Sequence, residues 1–260
     1  MFRIKNFFKR NLKEMLRDPI IYIFCLGFPV VMLLLFQIIN NYSNGHTSTF
    51  NMSSLLPAII MFSYTFVMLT MGLLVSKDRQ TMFLKRLYSS PMKSHEFILG
   101  YFLVGFLIAI CQTIICIIAA FIISLIFDVE FIGFWQIILM ICSQLPILIT
   151  MVCLGILFGV LFNDKSAPGI CSIFISLSGI LGGCWMPVET MGGFETFCKI
   201  LPFYPSVCLG RIVTNATNQL GVCYVFDSNM LLGLIPIALF MIASVVMSCV
   251  AFKKSMVSDK

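Results

Sequence analysis

Charge is scarce in this chain: Asp, Glu, Lys and Arg together make up 11% of its 260 residues, where a soluble domain carries roughly a quarter. Hydrophobic residues make up 60% and the mean hydropathy is +1.02, so water is not the main solvent of this chain. Other absences narrow the chemistry. No G-x-x-x-x-G-K-[ST] run occurs, so nothing here offers the Lys and consecutive backbone amides that cradle ATP phosphates. The two histidines, His46 and His95, lie far apart without an H-E-x-x-H pattern, and the eleven cysteines show neither C-x-x-C nor Cys/His metal spacing. No ten-residue segments alternate in polarity, which excludes the strands of a membrane barrel. A cleaved signal peptide is not expected, because the first apolar run follows a long basic stretch, is long enough for a full bilayer and lacks a small-residue cleavage site.

What the chain does have is six uncharged apolar runs, each near or above the 20 residues a helix needs to cross a bilayer. They cover 20–39, 55–76, 97–127, 131–162, 167–186 and 230–252. Only helices or closed barrels satisfy backbone groups in lipid, so the fold class is all-α with six transmembrane helices. The third and fourth runs exceed one span, and Pro146 marks a candidate kink. Most cysteines fall within these runs as small packing residues. Cys198, Cys208 and Cys223 fall outside them, and sequence alone leaves a disulfide among them open.

The basic residues are unevenly placed. Arg3, Lys5, Lys9, Arg10, Lys13 and Arg17 precede the first run, and Lys77, Arg79, Lys85, Arg86 and Lys93 separate the second from the third. Lys165, Lys253, Lys254 and Lys260 complete that side, whereas residues 40–54 carry no Lys or Arg and the connection after Met186 has only Lys199 and Arg211. The positive-inside rule therefore puts both termini in the cytoplasm. The net charge of +6 then reflects topology and anionic headgroups rather than a nucleic-acid partner.

Ahead of the first run, Ile4, Phe7, Phe8, Leu12, Met15 and Leu16 recur at helical spacing between Lys and Arg residues, the pattern of an interfacial amphipathic helix over 1–19. Asp18 and Pro19 turn it into the membrane. Residues 77–96 form a short loop that mixes Met82, Phe83, Leu84 and Leu87 with Arg79, Lys85 and Arg86. It predicts a helix with one apolar side, lying on lipid or docked in a groove of a cytoplasmic partner. Between Gly182 and Gly210 an aromatic-rich stretch is broken by Pro187, Gly192, Gly193, Pro202 and Pro205. Broken apolar backbone of this kind reads as re-entrant helices buried in protein, or as an outer loop with interfacial aromatics.

These segments together resemble the type-2 family of ABC exporter permeases over essentially the whole chain. The resemblance is carried by the basic stretch ending at Arg17-Asp18-Pro19 with Pro29 in the following span. It continues in KDRQTMFLKRLYSSPMKSHEFILGY, with Leu99 and Gly100 opening a helix, and in GGCWMPVETMGGFETFCKILPFYPSVCLGR. Where the family commonly shows a second acid and a Gly after its Asp-Arg start, this chain has Gln80 and Thr81 or Met82. The resemblance implies a 20–260 permease domain in which Asp78, Arg79, Leu84, Arg86, Leu87, Ser90 and Pro91 belong to a cytoplasmic coupling helix. It also implies an outer gate over 187–210, formed with Gly182, Gly183, Pro187, Pro202, Tyr204 and Arg211. Its partners would be cytoplasmic ABC ATPase subunits, which hold ATP and Mg, and a second copy or homologous permease, in a bacterial plasma membrane. This chain itself would bind no cofactor and be no enzyme.

Within the six runs there is no Asp, Glu, Lys or Arg, which argues against a proton relay or ion-coupled carrier. Gln112 and Gln144 are the polar candidates for a substrate path; the other reading is that each hydrogen-bonds between helices. Glu189 and Glu195 lack a companion nucleophile and read as solvated residues or as ion-pair partners of Lys199 or Arg211. Asn41, Asn51 and Asn215 begin N-x-[ST] sequons, which carry glycans only in a eukaryotic secretory route. The expected function is outward movement of an amphipathic drug, antimicrobial peptide or lipid-like substrate. Export of a lipid-linked polysaccharide and a non-transporting sensor or immunity protein are the alternatives.

Overall fold

The structure, a computed structural model, describes residues 2–19, 21–42, 50–81, 94–218, 222–225 and 228–258. The described residues are helical almost throughout and contain no strand beyond an isolated bridge between Thr217 and Cys223. In chain order the helices are α1 (Phe2–Met15), a π-helix (Ile21–Gly27) continuous with α2 (Phe28–Tyr42), α3 (Met52–Gln80), α4 (Ser94–Phe127) and α5 (Phe134–Leu161). There follow α6 (Ala167–Leu181), a 3-10 turn (Val188–Thr190), α7 (Gly193–Ile200), α8 (Phe203–Val213) and α9 (Ser228–Ser258). Leu84, Arg86, Leu87, Ser90 and Pro91 of the expected coupling segment lie outside the described residues.

Among the described residues, five helical stretches are long and apolar enough to cross a membrane: Ile21–Tyr42, Met52–Gln80, His95–Phe127, Phe134–Leu161 and Gly233–Ser255. The fifth expected span, 167–186, is instead a 15-residue helix. It stops because Gly182 caps it and Gly183 takes a left-handed φ of +65°, a conformation glycine adopts without a steric penalty and which ends helices. The long fourth run is one helix through Pro146. In the first run, Ile21–Gly27 is a π-helix. Its change to α register falls beside Pro29, which has no N–H and whose ring conflicts with the Cys25 carbonyl in a regular α-turn.

Helix α3 is the axis of the bundle, buried along nearly its whole length, while the other long helices expose one apolar side. Its polar side chains do not disturb this: Ser63, Thr65, Thr70 and Ser76 each donate to the carbonyl three residues earlier in the same helix. Tyr64 and Thr113 share a hydroxyl contact of 2.8 Å that ties α3 to α4.

The most extensive helix contact joins α3 to α5. Gly155 and Gly159, one turn apart, face Gly72, Met68 and Val75 so closely that an added Cβ at Gly159 would stand 2.6 Å from Val75 Cβ and 2.7 Å from Gly72 O. Small residues four apart let helix backbones approach in this way. Because the obstruction includes backbone, it does not yield by a rotamer change. Gly159→Val is expected to cost about 1–3 kcal/mol, read as a lower thermal midpoint of the purified protein in detergent. Gly169→Ala, where an added Cβ meets nothing within 4 Å, serves as the neutral control.

All eleven cysteines are free. Cys198 and Cys208 are buried with Val188 and Tyr204 in a small cluster separate from the main core, and Cys223 is exposed.

Candidate functional site

Two polar clusters sit at opposite ends of α3. The first is built around Asp78, which lies on the last turn of α3 rather than in a loop and is 1% exposed. A carboxylate this deep needs a cation and hydrogen bonds to offset its lost hydration. Arg10 of α1 supplies both, donating Nη1 to Oδ2 at 2.5 Å and Nη2 to Oδ1 at 2.7 Å, the two-pronged geometry that suits guanidinium and carboxylate. Tyr101 of α4 donates its hydroxyl to Oδ2 at 2.7 Å. One carboxylate thus joins α1, α3 and α4.

The surrounding contacts hold this junction. Arg10 also reaches Glu14 at 2.5 Å and donates to Asn11 Oδ1 at 2.8 Å, and Lys77 stands 3.5 Å from Glu14. Burial disfavours the charged Arg10, but the hydrogen bond and charge of Asp78 outweigh it and hold the guanidinium above its ordinary range. Beneath the ion pair, the Phe7 ring meets Phe97 and Tyr101 edge-on, with centroids 5.4 and 5.0 Å away. Gly100 leaves the space Phe7 fills, since a Cβ there would come within 3.0 Å of the ring's Cε1. The buried stripe of α1 is therefore Phe7, Asn11 and Met15, directed at protein. Arg79 is turned inward and donates to the Val160 carbonyl in the last turn of α5, where a cation satisfies a helix C-terminus.

The second cluster surrounds Arg211, which is 1% exposed on α8. Its Nη2 donates to Gly183 O at 3.0 Å, its Nε to Ser54 O at 3.4 Å and its Nη1 to Tyr224 Oη at 3.3 Å, while Glu189 Oε1 stands 3.6 Å away. Tyr224 donates to Glu189 Oε1 and lies under the guanidinium, 5.7 Å from centroid to carbon. Burial pushes the Tyr224 phenol above its ordinary range, against the opposing pull of Arg211, so it acts as a neutral donor. The neighbouring Thr214 donates 2.6 Å to Ser53 O, the carbonyl that Pro57, lacking an N–H, leaves without its helical partner. Gly210 lets α8 approach this point, because a Cβ there would stand 2.5 Å from Pro57 Cβ.

Ser54 and Asp78 are 24 positions apart on α3, which places the two clusters about 36 Å from each other along the helix. Of the expected outer-gate residues, Gly183 and Arg211 meet directly. Gly182 caps α6, Pro202 precedes the first residue of α8, Tyr204 is buried beside Val188 and Cys208, and Pro187 precedes the 3-10 turn. Lys199 pairs with Glu195 at 2.8 Å and Arg211 with Glu189.

Gln112 and Gln144 are both fully buried between helices. Gln112 Nε2 donates to Ser63 O at 3.0 Å and its Oε1 has no partner among the described residues. Gln144 makes a closed pair with Ser206, donating to its carbonyl at 2.9 Å and accepting from its hydroxyl at 3.1 Å. The partners Arg10, Tyr101, Ser54 and Tyr224 were not foreseen as site residues. Their contacts span 68, 23, 157 and 13 positions, separations that no local pattern in the sequence encodes.

Between the π-helix, α2, α3 and α6 lies a cavity of 510 Å³ whose walls include Phe24, Phe28, Phe62, Phe66 and Trp185. Among the described residues, no group of three or more His, Cys, Asp or Glu is arranged to hold a metal.

Residues 3–214 match the family model described as ABC-2 type transporter, a stretch containing both Asp78 and Arg211. No curated protein matches the chain.

Proposed function

Since this chain belongs to the ABC-2 type transporter family, as a multi-pass membrane transport subunit that is not itself catalytic, we propose that it is the permease of an ATP-driven exporter. In this reading two permeases, identical or homologous, pair in a bacterial plasma membrane with both termini in the cytoplasm. ATP and Mg are held by two cytoplasmic ABC ATPase subunits. Closure of these on ATP moves the 77–96 loop and opens a path outward past the 187–210 segment.

The observation that most supports coupling is the Asp78 junction. It lies at the start of that segment, on the last turn of α3, so a displacement there acts on α1, α3 and α4 together. An equilibrium shifts only if the two states differ in contacts, and an ion pair with two hydrogen bonds and a hydroxyl contact is a discrete set to make or break. The aromatic cavity suits the apolar part of an amphipathic drug, peptide antimicrobial or lipid-like substrate.

The test is transport by membrane vesicles that contain this chain and its ATPase. Wild type is expected to move an amphipathic dye only when ATP is supplied on the cytoplasmic face, and Leu84→Asp to lower that flux at least tenfold while dye binding persists. A sensor or immunity protein would keep its response in Leu84→Asp and show no ATP-dependent flux at all.

A further inference from the structure

Where α1 turns into the first span, Lys9, Lys13 and Arg17 follow one another at four-residue spacing and are all exposed. With Lys77 they line an open groove of 880 Å³. The acidic residues of this wall do not neutralise it. Glu14 is taken up by Arg10 and Lys77, and Arg10 is in turn committed to Asp78. Among the described residues of the lining, Asp18 is the only other carboxylate, against five cationic side chains. Lys9, Lys13 and Arg17 have no carboxylate within ion-pair distance among the described residues.

Beside the groove the chain exposes apolar groups. Leu16 is 50%, Tyr22 48% and Ile23 61% exposed, and Tyr22 donates its hydroxyl to Leu16 O at 2.7 Å, bridging the turn. Uncompensated cations next to an exposed apolar and tyrosine belt place the groove at the level of lipid headgroups, where Lys and Arg meet phosphate and Tyr sits at the boundary.

We propose that the groove lined by Lys9, Lys13, Arg17 and Lys77 binds the phosphate of an anionic phospholipid headgroup, fixing α1 against the leaflet. The proposal rests on the topology given above, which sets this end of the bundle in the cytoplasmic leaflet. The Arg10–Asp78 pair forms the rigid back of the site, so lipid would stabilise the docked position of α1 without altering that pair.

The test uses the purified full chain in a neutral detergent, without ATP or partner, so its outcome is independent of whether transport is ATP-driven. Thermal unfolding is followed on adding short-chain phosphatidylglycerol, the matching phosphatidylcholine, or inorganic phosphate. Phosphatidylglycerol is expected to raise the midpoint by roughly 5 °C or more and the other two by far less. Lys9→Gln, Lys13→Gln and Arg17→Gln combined should weaken apparent lipid affinity on the order of a hundredfold. The charge-preserving set Lys9→Arg, Lys13→Arg and Arg17→Lys should retain it. In wild type the effect should fade as salt rises well above about 0.1 M, which tests the site even if the Gln variant does not fold. Equal stabilisation by phosphatidylcholine or by inorganic phosphate overturns the lipid assignment. So does an undiminished phosphatidylglycerol effect in the Gln variant, most clearly if that variant has instead lost its ATPase partner.

Discussion

Asp78→Ala is expected to release α1 from the bundle while the rest of the fold persists. The substitution removes the acceptor of two guanidinium bonds and one tyrosine hydroxyl, leaving Arg10 and Tyr101 facing each other without the charge that joined them. Breaking a fully buried pair costs about 3–5 kcal/mol. The Arg10 side chain is 33% exposed and keeps Glu14, so solvent screening reduces this to about 2–3 kcal/mol. The loss falls on docking of α1, because among the described residues its remaining buried side chains are Phe7, Asn11 and Met15. Trypsin cleavage at Lys9 and Lys13 should accelerate more than tenfold, with α3 to α5 still protected. Asp78→Asn, which keeps the shape and part of the hydrogen bonding, should fall between. Unchanged protection in Asp78→Ala would mean that the aromatic contacts alone hold α1.

Arg211→Met is expected to lower stability by about 3–5 kcal/mol, because it leaves the other members of a buried charged network without their partner. The Gly183 and Ser54 carbonyls lose a donor and Glu189 its cation. Arg211→Lys should recover little, since one ammonium cannot reproduce a planar fork that faces two carbonyls, a phenol and a carboxylate in different directions. Adding Glu189→Gln to Arg211→Met should restore part of the loss by removing the stranded carboxylate. Thermal unfolding in detergent reads all three variants. Lys199→Met breaks only a half-exposed pair with Glu195 and should change the midpoint little.

Much of the bundle follows from local pattern. The apolar periodicity of 2–16 and the uncharged runs from 20, 55, 97, 131 and 230 became helices, because length and hydropathy are properties a segment carries by itself. What pattern did not show depends on a neighbour or on one backbone angle. The 167–186 run is apolar throughout, yet its helix ends at Leu181 because Gly183 turns left-handed against Arg211. The run before Pro29 looks like ordinary helix, but Ile21–Gly27 takes the π register. Asp78 and Arg79 resemble loop residues by charge, whereas their counterparts on α1 and α5 draw them into the last turn of α3. Gln112 and Gln144 are equally polar on paper. Only the packing shows one with an open acceptor and the other closed on Ser206. The α3–α5 contact rests on Gly155 and Gly159, small residues four apart that hydropathy alone does not single out.

In the proposed reading, this chain is the membrane half of a transporter whose ATPase is a separate polypeptide. This division is tested most directly by affinity purification from the native host in mild detergent, with mass spectrometry of what remains bound. An ABC ATPase subunit is expected in stoichiometric amount, lost in Leu84→Asp, together with either one permease species or a second homologous one. Folded chain recovered without any ATPase, under conditions that keep Asp78 and Arg211 buried, would contradict it.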